Sequence, residues 1–134
     1  MENLQVHRPS LEDFFNNIDD AFSYYRNRGL SHITKVCEPI IYLNEHGGLI
    51  GYGHLDIEAD TIWLGVAVSK SYRGQGHGSY IVNHLIHTYK KKHQDKILRL
   101  AVSKQNMTAI ALYKKQGFRY IYESHKNWFM QFDE

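Results

Sequence analysis

The stretch SYRGQGHGSY, residues 71–80, places Gly74, Gly76 and Gly78 within five positions directly behind Arg73. An apolar pattern of helical spacing follows at once. Glycine costs a helix about 1 kcal/mol relative to alanine, so crowding it at a helix start needs a reason. A strand that turns through glycines into a helix leaves the first backbone N–H groups without intrahelical acceptors. With the helix dipole, those donors suit a phosphate or pyrophosphate. A Cβ there would hold the anion away from the amides. The spacing Arg73-x-x-Gly76-x-Gly78 therefore reads as an anion cradle opening a helix near Gly76. It is not a P-loop, because no Gly-Lys-Ser/Thr follows, and the dinucleotide fingerprint fails because Ser79 stands where its third glycine belongs. A tight strand-to-helix turn holding no ligand satisfies the same residues.

The elements that must position this cradle are legible on both sides of it. Residues 39–68, PIIYLNEHGGLIGYGHLDIEADTIWLGVAV, read as three strands joined by turns at NEHGG and EAD, an antiparallel meander. Behind the glycines, Ile81, Val82, Leu85, Ile86 and Tyr89 form one helical face. Lys96 to Val102 is an aliphatic strand, and NMTAIALYKKQ a helix capped by Asn106 and stopped by Gly117. FRYIYE and NWFMQF close the chain as a hairpin. Upstream, Ser10 with Asp13 makes a capping-box pattern, and Leu11, Phe14, Phe15, Ile18, Phe22 and Tyr25 define the stripe of a first helix ending at Gly29. The expected fold is α/β with a mixed sheet: an antiparallel meander, a β-α-β-α unit and a C-terminal hairpin, with helices on both faces. The 134 residues are expected to form one domain.

Two motifs in this order resemble the GNAT-type N-acetyltransferases. GVAVSKSYRGQGHGSYIVNHLI is similar to that family's acyl-CoA-binding motif, Gln/Arg-x-x-Gly-x-Gly/Ala. NMTAIALYKKQGF is similar to its second motif through Asn106, Ala109, Leu112, Tyr113, Gly117 and Phe118. The resemblance spans about residues 48–122 and implies an acetyl-CoA-dependent N-acetyltransferase with no metal. It also implies that main chain from Arg73 through Gly74, Gln75, Gly76, His77, Gly78 and Ser79 holds the cofactor's pyrophosphate. Val66, Ala67 and Val68 would pair with its pantetheine arm, and a backbone N–H on that strand would face the thioester carbonyl. Tyr113 would be the general acid, since a phenol of pKa about 10 is protonated at neutral pH. Packing between helix and sheet is the competing use of Tyr113. Asn106 is either a cofactor contact or simply the N-cap.

The base departs from the family pattern. Many members carry a glutamate on the strand before the glycines, whereas Thr61 to Val68 holds no acidic side chain. The neighbouring strand offers His54, Asp56 and Glu58, which alternation sets on one face. His54 has a suitable ordinary pKa, and Asp56 could orient it or act through water. A solvated strand face is the competing reading, and proton loss through water alone competes with both residues.

The remaining signals are plainer. His77, His84 and His87 are assigned to the polar face of their helix; His84 and His87 lack an acidic or cysteine partner, so a solvated face outweighs a metal site. Trp63 either walls an acceptor pocket or packs. Tyr24, Tyr25, Arg26 and Arg28 prompt an amino sugar, nucleotide-linked or not, as the small-molecule amine acceptor, with a protein or peptide amine as the alternative. The net charge of +2, from 16 basic and 14 acidic residues, argues against nucleic acid and membrane surfaces. No signal-like or membrane-spanning segment is evident, and the lone Cys37 excludes an intrachain disulfide, so the expected setting is cytoplasmic. A homodimer is compatible with the sequence. The rivals to an enzyme are an acyl-CoA sensor without turnover and a module binding another nucleotide phosphate.

Overall fold

The computed structural model describes residues 5–7, 40–43 and 49–133. Its strands are β1 (Gln5–His7), β2 (Ile40–Leu43), β3 (Leu49–Glu58), β4 (Thr61–Val68), β5 (Ile97–Ser103), β6 (Phe118–Glu123) and β7 (Asn127–Phe132). Helix α1 (His77–Lys92) connects β4 to β5, and α2 (Met107–Gln116) connects β5 to β6. The strands form one sheet in the order β1-β2-β3-β4-β5-β7-β6, with β4 and β5 parallel and every other neighbouring pair antiparallel. The meander, the β-α-β-α unit and the closing hairpin are those expected. Strand β1 was not: three residues, Gln-Val-His, are too few to show an alternation. The helix expected over residues 10–29, and with it the second helical face, lies outside the described residues.

The sheet registers sort side chains onto two faces. Leu55 opposite Leu64, Ile62 beside Leu98, and Leu100 opposite Met130 share one face with Gly51, Gly53 and Val102. The apolar stripe of α1, Ile81, Val82, Leu85, Ile86 and Tyr89, belongs to the core these residues form, as do Ile110 and Tyr113 of α2. Both described helices thus cover this face. Tyr52, His54, Asp56, Trp63 and Gly65 project to the other.

Two glycines set the distance between α1 and the sheet. A methyl group at Gly53 would lie 2.6 Å from Ile81 Cγ2 and 2.9 Å from Leu85 Cδ1. At Gly51 it would meet Ile81 Cδ1 at 2.7 Å and the Ala67 carbonyl oxygen at 3.0 Å. Side-chain-free patches on β3 therefore let α1 lie close, which fixes where its N-terminus falls relative to the end of β4. Among the described residues, no helix is long and apolar enough to cross a membrane.

One register matters most for function. β4 and β5 pair at only three positions, Thr61 with Ile97, Ile62 with Leu98 and Trp63 with Arg99. Further along, Val66, Ala67 and Val68 pair with β3, while Ala101, Val102 and Ser103 pair with β7. The parallel pair thus splays beside the cradle. Overpacking a tight helix–sheet contact costs about 1–3 kcal/mol. Gly53→Ala should therefore lower the calorimetric melting temperature by several degrees, and an unchanged melting temperature would show that α1 is not held at this distance.

Candidate functional site

β4 ends at Val68, and a 3₁₀ turn over Lys70–Tyr72 leads into the glycines. The turn is tied down by Ser69 N–H donating to the Ile50 carbonyl at 2.8 Å and by Tyr72 N–H donating to the Ser69 carbonyl at 2.9 Å. Gly74 has φ +76° and Gly76 φ +88°, left-handed values that penalise any residue with a Cβ. Gly76 is the N-cap of α1 and supplies no side-chain cap, and the first turn carries no acidic residue. Tyr80 N–H, donating to the Gly76 carbonyl at 3.1 Å, is where the helical ladder begins. The amides of His77, Gly78 and Ser79 precede that ladder and share the positive end of the helix dipole.

Side chains brace this loop from outside. Arg73 Nε donates to the Val68 carbonyl at 3.0 Å, and Gln75 Nε2 to the Ser71 carbonyl at 3.4 Å. Gln116 Nε2 donates to Ser79 Oγ at 2.9 Å, tying the end of α2 to the start of α1. At the other end of α2, Asn106 Oδ1 accepts from Ala109 N–H at 3.1 Å, and Gly117 closes the helix at φ +110°.

Between these elements lies a cavity of about 780 Å³, within the range of small-molecule sites. It brings together Val66, Ala67 and Val68 of β4, Arg73, Gly74, Gly76, His77, Gly78 and Ser79 of the cradle, and Asn106 and Tyr113 of the second motif. Asn106 is thus both cap and cavity wall. Of the expected cofactor residues, Gln75 does not line the cavity, its side chain being turned back onto Ser71. Tyr72, Thr108, Ala109 and Leu112 line it and were not singled out as cofactor contacts. Ala109 and Leu112 belong to the same motif as Asn106 and Tyr113, which was the signal that this face of α2 reaches the cavity.

Tyr113 sits at the edge of this cavity, 8% exposed, with its ring edge-on to Phe118 at 6.0 Å. Burial disfavours the phenolate and pushes its pKa up to about 12. The phenol is a proton donor that ordinary pH leaves intact.

His77 requires a correction. Assigned to a polar helix face by spacing, it is 4% exposed, edge-on to Tyr72 at 5.8 Å, with Nδ1 buried and without a hydrogen-bond partner. Helical spacing misplaced it because the first turn of α1 abuts the loop that precedes it. His84 and His87 are partly buried and exposed. Burial first, then the neighbouring His87, holds the His84 pKa below its ordinary value. No metal-binding group of His, Cys, Asp or Glu occurs among the described residues.

His54 and Asp56 do not line the cavity. They lie on the sheet face away from α1, 2% and 1% exposed, His54 opposite Gly65 and Asp56 opposite Trp63. The Tyr52 hydroxyl is 2.7 Å from His54 Nδ1. Glu58, at the end of β3, is exposed. Trp63 is half-buried, edge-on to Phe129 at 6.1 Å, and Tyr122 stacks on Phe129 at 4.6 Å. Lys114 Nζ lies over the Trp128 ring, 5.4 Å from its centroid. Tyr24, Tyr25, Arg26 and Arg28 are outside the described residues.

The chain belongs to the acetyltransferase (GNAT) family, whose profile matches residues 6–118. It is 27% identical over 110 residues to the uncharacterised N-acetyltransferase YobR of Bacillus subtilis (strain 168). That match covers 79% of this chain and 44% of the relative, so the chain spans less than half the relative's length. Its fold is similar to that of the PaiA N-acetyltransferase from Thermoplasma acidophilum, solved in complex with coenzyme A. The TM-score is 0.79 at 17% identity, covering 98% of this chain and 99% of that one. The ribosomal-protein-S18-alanine N-acetyltransferase from Escherichia coli has a TM-score of 0.73 at 20% identity, covering 98% and 93%.

The two glycines nearest the helix should respond differently to alanine. Gly76 is left-handed, whereas a methyl at Gly78 would meet only Val68 and Leu112 at 3.7 and 3.8 Å, ordinary contacts. Gly76→Ala should cost about 1–2 kcal/mol of strain, turn the amides out of line and weaken acetyl-CoA binding by about tenfold or more. Gly78→Ala should leave binding unchanged and gain up to about 1 kcal/mol of stability. Calorimetric titration of both variants decides; equal losses would mean that backbone conformation is not what the cradle requires.

Proposed function

We propose that the protein transfers the acetyl group of acetyl-CoA to a primary amine of a small molecule. The observation that carries this reading is the single cavity that unites the α1 cradle, the end of β4 and Tyr113. The cavity fits the cofactor: donors without acidic neighbours for its pyrophosphate, strand main chain for its amide-bearing arm, and a volume of the right order. Acetyl-CoA supplies the acetyl group activated as a thioester.

In this reading the amides of His77, Gly78 and Ser79 hold the pyrophosphate, with Arg73 and Gly74 framing it. Main chain of Val66, Ala67 and Val68 aligns the arm as an added strand, and an N–H of β4 faces the thioester carbonyl. The amine attacks that carbon, the C–N bond forms and the C–S bond breaks. Tyr113 gives its proton to the departing thiolate. The nitrogen's surplus proton leaves on the other side of the sheet, where His54 is the base. Gly65, opposite His54, puts no side chain between the imidazole and the splay. Asp56, on the same face, orients His54 or passes a proton through water.

The amino-sugar acceptor rests on residues 24–28, outside the described part, and enters as the first member of a panel with amino acids, polyamines and peptides. Thiol release from acetyl-CoA across that panel tests the proposal, with product mass as confirmation. Tyr113→Phe should lower turnover about 100-fold with acetyl-CoA affinity unchanged. Because burial raises the Tyr113 pKa to about 12, wild-type turnover should keep rising to pH 10 as the amine deprotonates. A protein that neither binds acetyl-CoA nor releases thiol would sink the reading; one that binds it without turnover on any amine would favour the sensor.

A further inference from the structure

We infer that the acceptor amine carries an anionic group, a carboxylate or a phosphate, and that Arg99 is the specificity-determining residue that receives it. The inference names the substrate class of the proposed reaction, and it rests on that reading for placing the amine at the splay.

Register brings the receiving groups together. Arg99 of β5 pairs with Trp63 of β4 on one side and with Gln131 of β7 on the other, on the sheet face away from α1. Two residues along the same face, Ala101 lies opposite Phe129. Trp63 meets Phe129 edge-on at 6.1 Å, and Tyr122 stacks on Phe129 at 4.6 Å, so three rings line the surface beside Arg99. Ala101 and Ser103 are exposed although β5 has a strand on either side of it. Tyr52, His54 and Asp56, on the same face of β3, are buried. The open part of this face is therefore the part that holds Arg99 and the rings.

The guanidinium is oriented but not satisfied. Arg99 Nε donates to Gln131 Oε1 at 3.0 Å, which anchors the planar group against β7. Its two terminal nitrogens have no acceptor, and it has no carboxylate partner, among the described residues. Arg99 is half-buried, so part of its hydration is already lost. A planar fork of N–H donors matches a carboxylate or phosphate with two parallel bonds. Arg119, opposite Gln131 on β6, differs: its Nε is held by Asp133 Oδ2 at 2.9 Å. Asp56 lies beyond Trp63, which pairs with both Asp56 and Arg99, so that carboxylate is two strands away.

Spacing bounds the acceptor. Continuing the β4–β5 register sets Ala101 level with Gly65, at the splay where the proposed reaction takes place. Arg99 is two residues back, about 7 Å along the strand. An amine and an anion that far apart belong to one small molecule, whose body lies against the three rings. A polyamine would bring a second cation towards the guanidinium and is repelled.

Product analogues make the test independent of turnover. Calorimetric titration of the whole chain, with coenzyme A present, compares N-acetylphenylalanine with N-acetylphenethylamine, and N-acetylglucosamine 6-phosphate with N-acetylglucosamine. The members of each pair differ by one anion. The anionic member of at least one pair should bind about tenfold or more tightly, and the pair that shows this separates carboxylate from phosphate. Arg99→Gln should abolish the advantage while leaving acetyl-CoA affinity unchanged. Arg99→Lys, which keeps the charge and loses the fork, should retain part of it. The inference is overturned if neither anionic member binds more tightly than its neutral partner, or if the advantage survives Arg99→Gln. Neither result touches the transferase reading, which acetyl-CoA binding and thiol release judge separately.

Discussion

The site depends on an incomplete ladder. β4 and β5 are joined by a crossover through α1, the kind of connection that parallel neighbours need, yet they pair at only three positions. Full pairing in the same register would spend the β5-side edge of Val66, Ala67 and Val68 on Val102, Ser103 and Lys104, and the cavity at the end of β4 would close. What keeps the region ordered without that pairing is support from the outer strands. β3 pairs with β4 along eight positions and β7 with β5 along five. Gly51 and Gly53 admit α1 closely enough that its N-terminus is fixed beside the opening. The ladders to β3 and β7, together with the close packing of α1, thus hold the two sides of the splay in place.

The cradle and Tyr113 solve opposite electrostatic problems. At the cradle, partial positive charge is gathered by backbone alone: left-handed glycines aim the amides, and the first turn brings no carboxylate to compete. The nearest full charge, Arg73, is braced through its Nε against the Val68 carbonyl, which orients the loop. At Tyr113 the problem is to keep a proton. Burial against Phe118 and the α1 side of the sheet makes the phenolate costly, and no cation need be invoked. Gln116, bonded to Ser79, mechanically couples the helix bearing Tyr113 to the helix bearing the cradle.

How far the sequence reveals this follows from the range of each constraint. Gly74, Gly76 and Gly117 answer to their own dihedral angles, and the Asn106 cap to an amide three residues away, so these features are written locally. The hairpin of β6 and β7 is equally local. Strand β1 exists through its partner β2, a pairing that three residues cannot announce. His77 was misplaced for a related reason. Its helical position is polar by spacing, but Tyr72 and the turn fold back over it. Tyr72, Thr108 and Leu112 reach the cavity only because α1 and α2 converge there. Similarly, alternation put His54 and Asp56 on one face without indicating that both are almost wholly buried.

The absence of an acidic side chain on β4 has a directional consequence. In the proposed reading, with Tyr113 as proton donor on the helix side of the sheet and His54 as base on the other, protons enter and leave the reaction from opposite faces. An amine arriving on the His54 side meets a sheet surface of small residues at the splay, Gly65 and Ala67 on β4 and Ala101 and Ser103 on β5. Beyond Ala101 rise Trp63, Phe129 and Tyr122, whose rings touch in series. The small residues leave room for the reacting nitrogen; the rings offer apolar faces to whatever the nitrogen is attached to. Cofactor recognition through main chain places few demands on side chains there. In the proposed reading, acceptor choice therefore falls to this second face, with Trp63, Phe129 and Tyr122 as its aromatic members.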